Sequence, residues 1–126
     1  MQSHWQRSAD YFITSKQNGD LGITTDGSII FLGNNYSSIR LTENVFAFDD
    51  NMVLDVPEAV VDAAGRVQLW ERNNSNAQMW GVAEINGYYM ICWHGYALTY
   101  DLNDNSIRLM PITGEDSQLW SMNATE

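Results

Sequence analysis

The sequence predicts an all-β fold built from three similar units of four strands each. Short runs of alternating apolar and polar residues are separated by turns rich in Asn, Gly and Asp, and no long amphipathic helix is evident. Two segments that end in Gln-x-Trp lie about 40 residues apart, at Gln78–Trp80 and Gln118–Trp120. In each of them an apolar residue, Trp70 or Met110, stands ten residues before the closing Trp. These matches indicate an internal repeat.

The order of strands within each repeat follows from its apolar runs. The run that opens each repeat is predicted to form the first strand, at residues 12–13, 46–48 and 90–92. A second run follows in each repeat, at residues 20–23, 53–56 and 97–100. The third and fourth strands lie in the segments 67–80 and 107–120, on either side of a polar loop. The first repeat has a fainter copy of that segment, which ends at Leu41 without Gln-x-Trp and has Leu32 nine residues earlier.

Three such units are predicted to close around a common axis. No unit of this size can bury its own apolar face, whereas three units can share one core and leave no exposed sheet edge. The closing Trp of each unit would fill the core, and the Gln amide would bond backbone groups where strands leave the barrel. We therefore predict a β-trefoil with pseudo-threefold symmetry, in a single domain of residues 1–126 with repeats at approximately 10–43, 44–86 and 87–126.

The charge of the chain excludes several classes of partner. The formal net charge is −10 with only six scattered Lys and Arg residues, which argues against binding to nucleic acid or to anionic lipid. No stretch approaches the roughly 20 apolar residues that span a bilayer, so we expect no membrane insertion. Residues 1–15 contain no apolar run of signal-peptide length, so we expect cytoplasmic synthesis without a signal peptide.

The candidate reactive side chains lie in no arrangement that is typical of catalysis or metal binding. The single Cys92 excludes an internal disulfide, and it stands in an apolar strand where a free Cys acts as a small hydrophobe. His4 and His94 have no companion His or Cys at ligand spacing, which argues against zinc. Residues 101–105 resemble half of a calcium loop, but its twelfth place holds Ile112 instead of Glu. We expect no enzymatic activity, no metal and no cofactor.

The two Gln-x-Trp closures, together with Gln68–Trp70 and Leu54–Val56, resemble the ricin-type (R-type) lectin family. The resemblance extends over about residues 10–122. It implies a lectin that recognises glycans ending in galactose or N-acetylgalactosamine. In that family the aspartate that matches Asp55 binds two sugar hydroxyls, and the aromatic ring that matches Trp70 stacks on the less polar face of the sugar. The family pattern brings these two residues together across the loop at residues 58–66.

The residue types suit the chemistry that the resemblance implies. A carboxylate accepts two charge-assisted hydrogen bonds from vicinal hydroxyls, and a flat indole covers the C–H face of a galactoside. Gln68 and Gln78 are expected to support the pocket. Without the resemblance, Asp55 would be read as a turn-supporting residue and Trp70 as part of the core. The predicted carbohydrate-binding residues are Asp55, Glu58, Gln68, Trp70, Asn74, Asn76 and Gln78.

The sequence departs from the family pattern in all three repeats. The family has an Asn immediately before the closing Gln, and here that place holds Ala77, so Asn73, Asn74 and Asn76 are the candidates to replace it, with Asn76 nearest. The other repeats lack both key residues and are expected not to bind sugar in the same way. In the third repeat the matching places hold Thr99 and Met110, with Asp101 nearby. In the first repeat they hold Gly22 and Leu32. Tyr36 and Tyr96 are candidates for a secondary aromatic platform.

Two kinds of function remain open from the sequence. The first is a lectin with one well-formed pocket in the second repeat. Such a lectin would need to form a homodimer to crosslink glycans, and it would meet extracellular glycans if it is released from the cell. The second keeps the fold and discards the sugar, as in a protein-interaction module such as a protease inhibitor. Retention on galactose-agarose distinguishes the two.

Overall fold

The computed structural model describes residues 8–125, which form a curled sheet of twelve strands in three units of four. The predicted all-β, β-trefoil fold is confirmed. The strands are β1 (Ser8–Ser15), β2 (Gly22–Thr25), β3 (Ile30–Gly33), β4 (Ile39–Thr42), β5 (Val45–Ala47), β6 (Met52–Asp55), β7 (Gln68–Glu71), β8 (Gly81–Ile85), β9 (Tyr88–Trp93), β10 (Tyr96–Asp101), β11 (Ser106–Pro111) and β12 (Trp120–Ala124).

Within residues 8–125, three short 3-10 helices lie in loops that connect the strands. They are Pro57–Ala59, Asn76–Gln78 and Asp116–Gln118. The second and third of them precede the closing Trp of their units, so they deliver each indole to the core. In residues 8–125 no helix has the length and apolar character needed to cross a bilayer.

The outer strands of the three units pair with one another, and the inner two strands of each unit form a hairpin. Strand β1 pairs with β12 and β4, β4 pairs with β5, and β9 pairs with β8 and β12. The residues that precede β5 and β8 also meet, because the Asn44 side chain donates to the Trp80 carbonyl at 2.8 Å. The hairpins are β2–β3, β6–β7 and β10–β11.

Equivalent apolar residues from the three hairpins meet in one core. The cross-strand pairs Ile23–Leu32, Leu54–Leu69 and Leu98–Leu109 are all buried. Trp80 and Trp120 are 2% and 0% exposed, and each indole Nε1 donates to a backbone carbonyl at 3.1 Å, that of Leu54 or of Leu98. A buried indole is stable in this environment because its N–H has a partner.

The register of the first unit corrects two alignments made from the sequence. Ile39 pairs with Tyr11 as Trp120 pairs with Tyr89, so the closing place of the first unit is Ile39 and not Leu41. The pair Ile23–Leu32 occupies the core place of Leu54–Leu69, so Thr24 stands where the second unit has Asp55, and Gly33 where it has Trp70. The sequence alone predicts Gly22 and Leu32 for those places, because the first unit has no Gln-x-Trp from which to count.

The loop between β6 and β7 reaches across to the third unit. The Leu109 amide donates to the Gly65 carbonyl at 2.7 Å, and the Arg108 Nη1 donates to the Ala64 carbonyl at 2.8 Å. Gly65 has a φ of +65°, and a Cβ atom at this position would lie 2.2 Å from the Leu109 carbonyl oxygen. Only glycine permits so close an approach without a backbone shift. The loop is therefore held to the third unit near the end that leads into β7.

Candidate functional site

The outer face of the second unit carries a hollow of about 370 Å³. Three segments form its walls: the β6–β7 hairpin, the loop that follows β6 and the loop that follows β7. They contribute, respectively, Asp55, Gln68 and Trp70; residues 57–59; and Asn73, Ser75 and Ala77.

Asp55 is the last residue of β6 and forms part of the hollow while being only 3% exposed. Its two carboxylate oxygens accept hydrogen bonds of 2.9 Å, Oδ1 from the Gln68 amide and Oδ2 from the Gln78 amide. A carboxylate has about four acceptor positions, so two amides leave capacity for further donors. The five ion pairs found within residues 8–125 do not include Asp55. The carboxylate is thus fixed in direction by two neutral amides.

Gln78 is 0% exposed and joins this carboxylate to the loop beyond β7. Its Nε2 donates a second hydrogen bond to the Glu71 carbonyl at 2.8 Å, and its Oε1 accepts from the Asn73 backbone amide at 2.8 Å. The amide therefore bonds backbone groups at the end of a strand, as the sequence predicts for the Gln of Gln-x-Trp. A buried and fully bonded side chain of this kind holds its neighbours rigidly.

Trp70 presents its indole to solvent beside the carboxylate. It pairs across the hairpin with Val53, and Asp55 pairs with Gln68. Residues two apart on a strand share a face, so Asp55, Gln68 and Trp70 all lie on the same side of the hairpin while Leu69 faces the core. Trp70 is 52% exposed, against 2% for Trp80, so it is not a core residue. An exposed indole next to a fixed carboxylate can cover an apolar surface while the acid accepts hydrogen bonds.

The loop after β6 stands on one side of the hollow in an unusual backbone conformation. Glu58 and Ala59 have φ values of 56° and 57°, which lie in the left-handed region that residues other than Gly rarely adopt. The turn is closed by hydrogen bonds from the Ala59 amide to the Val56 carbonyl and from the Val60 amide to the Pro57 carbonyl. Backbone conformations that are unfavourable in free energy persist only where the surrounding structure holds them, and they are found most often at binding sites.

The predicted site residues fall into two groups. Asp55, Glu58, Gln68 and Trp70 line the hollow, and Gln78 lies behind Asp55 as a support. Asn74 and Asn76 are not among the lining residues.

The structure places the Asn76 side chain away from the hollow. Its Oδ1 is 3.2 Å from His94 Nε2, and its carbonyl accepts a hydrogen bond from the Trp93 indole at 2.9 Å. Asn73 and Ser75 line the hollow instead, in a turn closed by the Asn73 side chain and the Ser75 amide. An Asn two residues before a Ser is typical of such a turn, and this spacing is the feature of the sequence that could have indicated the turn at Asn73.

The equivalent place in the third unit has the same frame and a different surface. Gln118 donates to Thr99 Oγ1 at 3.2 Å, as Gln78 donates to Asp55, and Met110 stands in the place of Trp70 with 40% exposure. Arg108 takes the place of Gln68 and donates to Asp101 at 2.9 Å. Asp101 lines a hollow of about 440 Å³ beside Thr99 and Met110, where its carboxylate is already engaged by Arg108.

The first unit differs further. The hydroxyls of Thr24 and Ser37 lie 2.8 Å apart where the second unit has its carboxylate and amide. The Tyr36 ring packs against Gly22, where a Cβ atom would lie 2.6 Å from its Cδ1, and the Tyr36 hydroxyl donates to the Gly19 carbonyl at 3.3 Å. This ring therefore fills space left by a glycine.

The remaining candidate reactive groups lie apart from the hollow. Burial raises the pKa of the Cys92 thiol, which keeps it protonated near neutral pH. Residues 8–125 contain no group of three or more His, Cys, Asp or Glu side chains suited to a metal ion. His4 lies outside the described residues.

Comparison with known proteins establishes the fold. No protein-family model and no curated protein matches the sequence. Among solved structures, the designed threefold-symmetric protein ThreeFoil is 19% identical, with a TM-score of 0.74, over 90% of this chain and 97% of its own. The β-trefoil lectin of the Vibrio vulnificus hemolysin/cytolysin, solved with N-acetyl-D-lactosamine bound, is 13% identical with a TM-score of 0.71, over 96% and 98%.

Larger proteins contain a similar unit. The Polyporus squamosus lectin, solved with the epitope Neu5Aca2-6Galb1-4GlcNAc, is 15% identical with a TM-score of 0.73 over 94% of this chain. A mosquitocidal holotoxin is 17% identical with a TM-score of 0.76 over 97% of this chain. The chain spans 49% of the first and 18% of the second. At these identities the likeness shows that the chain has a β-trefoil fold.

Proposed function

We propose that this chain is a carbohydrate-binding lectin without enzymatic activity, which recognises glycans ending in galactose or N-acetylgalactosamine through the hollow of its second unit. One observation carries the proposal: the Asp55 carboxylate, held by two amides, and the half-exposed Trp70 indole share one face of the β6–β7 hairpin and line one hollow. A hydrogen-bond acceptor beside a flat apolar ring matches the two faces of a galactoside.

Each lining residue has a role in this proposal. Asp55 accepts hydrogen bonds from two vicinal sugar hydroxyls, and Trp70 covers the C–H face of the ring. Gln68 and Gln78 hold the carboxylate in direction, and Glu58 stands at the rim. Asn73, which lines the hollow, takes the part of the amide that the family has before the closing Gln, in preference to Asn74 and Asn76.

The ligands of similar structures support a saccharide. The Vibrio vulnificus trefoil was solved with N-acetyl-D-lactosamine and the Polyporus squamosus lectin with a sialylated galactoside, on the same fold. A shallow hollow gives weak binding to a single sugar, and multivalency raises the avidity. We therefore propose a homodimer as the form that agglutinates, since a twofold assembly is the commonest way to present two copies of one site.

Retention on galactose-agarose tests the proposed function. We expect the chain to be retained and to elute with free galactose, and Asp55→Ala and Trp70→Ala to flow through. The matched controls are Thr99→Ala and Met110→Ala, which make equivalent changes in the third unit and are expected to be retained. Thermal unfolding of each variant separates loss of the site from loss of the fold.

Two outcomes would contradict the proposal. If Asp55→Ala and Trp70→Ala fold and are retained as well as the parent chain, the hollow of the second unit is not the site. If the folded parent chain binds no galactoside and instead inhibits a protease or captures a protein, the trefoil is a protein-interaction module.

A further inference from the structure

The hollow is lined by acidic residues and belongs to a protein of negative net charge. Asp55 and Glu58 are the ionisable residues among those that line it, and both are acidic. Among residues 8–125, no Lys, Arg or His lines the hollow. The whole chain has 16 acidic residues against six Lys and Arg residues. A ligand that enters the hollow therefore meets a negative potential from nearby carboxylates and from the protein as a whole.

The basic residues elsewhere do not offset this potential, because most are engaged by aspartates. Residues 8–125 contain five Lys and Arg residues, and four of them lie in ion pairs with aspartates at 2.6–3.1 Å. The fifth, Arg72, lies beside Asp49 and Asp50 in a separate hollow. The nearest cation along the chain from Glu58 is Arg66, and Asp62 holds it at 2.6 Å.

The exposed indole acts in the same direction as the carboxylates. The face of an indole ring attracts a cation through its quadrupole, and Trp70 presents its ring in the same hollow. Asp55 is bonded by neutral amides, which orient the acid without cancelling its charge. A protonated amine on a bound sugar would thus meet two carboxylates and an indole, whereas a sugar carboxylate would meet like charges.

We infer that the hollow is charge-selective, so that a galactoside with a protonated amine binds more tightly than the neutral sugar and an anionic galactoside is rejected. This inference rests on the proposed function and names the class of saccharide that the same site prefers. It predicts poor recognition of glycans whose terminal sugar carries a carboxylate. Because about half of the Trp70 side chain is exposed to solvent, charges in the site are partly screened, and we expect steps of about two- to fivefold in affinity between successive charges.

Competition on galactose-agarose measures this selectivity directly. Galactosamine, galactose and galacturonic acid form a series of charge +1, 0 and −1 on one sugar, and each is used to elute the chain at about pH 6 and low salt. We expect galactosamine to elute at the lowest concentration and galacturonic acid at the highest. The differences should shrink at physiological salt, where charges are screened over about 8 Å, and galactosamine should lose its advantage at about pH 9, where its amine is largely neutral.

Two variants locate the source of the selectivity. Glu58→Gln is expected to reduce the ratio of galactosamine to galactose affinity by about twofold. Glu84→Gln removes the same charge from an exposed position on β8 that does not line the hollow, and it should leave the ratio unchanged. Equal effects of the two variants would show that net charge, and not the hollow, governs the ratio, and would overturn the inference.

The failure of the inference differs from the failure of the proposed function. If galactose elutes the chain and the three sugars act at the same concentration, the site exists without charge selectivity. If the order is reversed, the inference is also wrong. If none of the three sugars elutes a retained chain, or the chain is never retained, the galactoside site itself is wrong and the inference falls with it.

Discussion

The second and third units have the same inner frame. Trp80 donates to the Leu54 carbonyl at 3.1 Å, and Trp120 donates to the Leu98 carbonyl at the same distance. Each preceding Gln bonds the backbone where the loop leaves the third strand of its unit, donating to the carbonyl of Glu71 or Pro111 and accepting from the amide of Asn73 or Thr113. The two units therefore fold by the same set of contacts.

Their outward faces differ at the places that would meet a ligand. The second unit has a buried carboxylate beside an exposed indole, Asp55 and Trp70, where the third has a hydroxyl and a thioether, Thr99 and Met110. The frame accommodates either pair, because the Gln amide donates to the Asp55 carboxylate at 2.9 Å in one unit and to the Thr99 hydroxyl at 3.2 Å in the other. In this trefoil the same frame of Trp and Gln therefore supports different side chains on the outward face of each unit.

The largest expected effect tests whether the two frames are equal. Trp80→Ala and Trp120→Ala each remove a buried indole and its hydrogen bond, and we expect each to lower the free energy of unfolding by about 3–5 kcal/mol. Urea unfolding followed by circular dichroism measures both. A difference of more than about 2 kcal/mol between them would show that one unit dominates the core, contrary to the symmetric packing.

A smaller effect separates the two units. Gln78→Ala leaves one oxygen of the buried Asp55 carboxylate without its donor, and we expect a loss of about 3 kcal/mol or more in unfolding free energy. Gln118→Ala is expected to cost about 1–2 kcal/mol, because the Thr99 hydroxyl keeps its hydrogen bond to the Ala97 carbonyl at 2.9 Å. Gln118→Ala also loses a hydrogen bond from the Gly114 amide at 3.1 Å, so a larger loss in Gln78→Ala reports the buried Asp55 carboxylate. Equal losses would mean that Asp55 is not held as the structure indicates.

The sequence predicted the parts of the molecule that depend on short-range pattern. The two Gln-x-Trp motifs predict the strands and the core of the second and third units, because each motif places a large apolar ring two residues after an amide side chain. The first unit lacks the motif, and its hairpin was misaligned, since Gly22 and Gly33 give no side chain from which to read a face. Only the pairing of Ile23 with Leu32 shows which residues match.

The loops of the site were harder to predict than its strands. Asp55, Gln68 and Trp70 lie on paired strands, where spacing determines the face, and they line the hollow together. Asn76 is nearest in sequence to the missing amide, yet its side chain lies by His94 because the short 3-10 helix turns it away. The direction of a loop side chain depends on tertiary contacts that no local pattern records.

The two units also differ in what holds their outer loops. Arg108, in the place of Gln68, donates to Asp101, to Asp104 and to the Ala64 carbonyl, so the third unit anchors the loop that walls the hollow of the second. Hydrogen bonds from Ser106 and then from Arg108 hold the pKa of Asp104 below its ordinary value of 3.8. A carboxyl whose pKa is lowered on folding contributes its full stabilisation at pH values above its ordinary pKa. That contribution is lost as the pH falls through the lowered pKa. The anchor is therefore intact at neutral pH.

The smallest expected effect tests this anchor. Arg108→Met keeps the length of the side chain and removes its donors, and we expect affinity for galactose to fall about two- to fivefold although Arg108 does not line the hollow. Arg40→Met is the control, since Arg40 pairs with Asp10 at 3.1 Å on another face. Elution from galactose-agarose at neutral pH measures both. Unchanged affinity in Arg108→Met would show that the loop is held by Gly65 and Leu109 alone, whose backbone hydrogen bond the variant leaves in place.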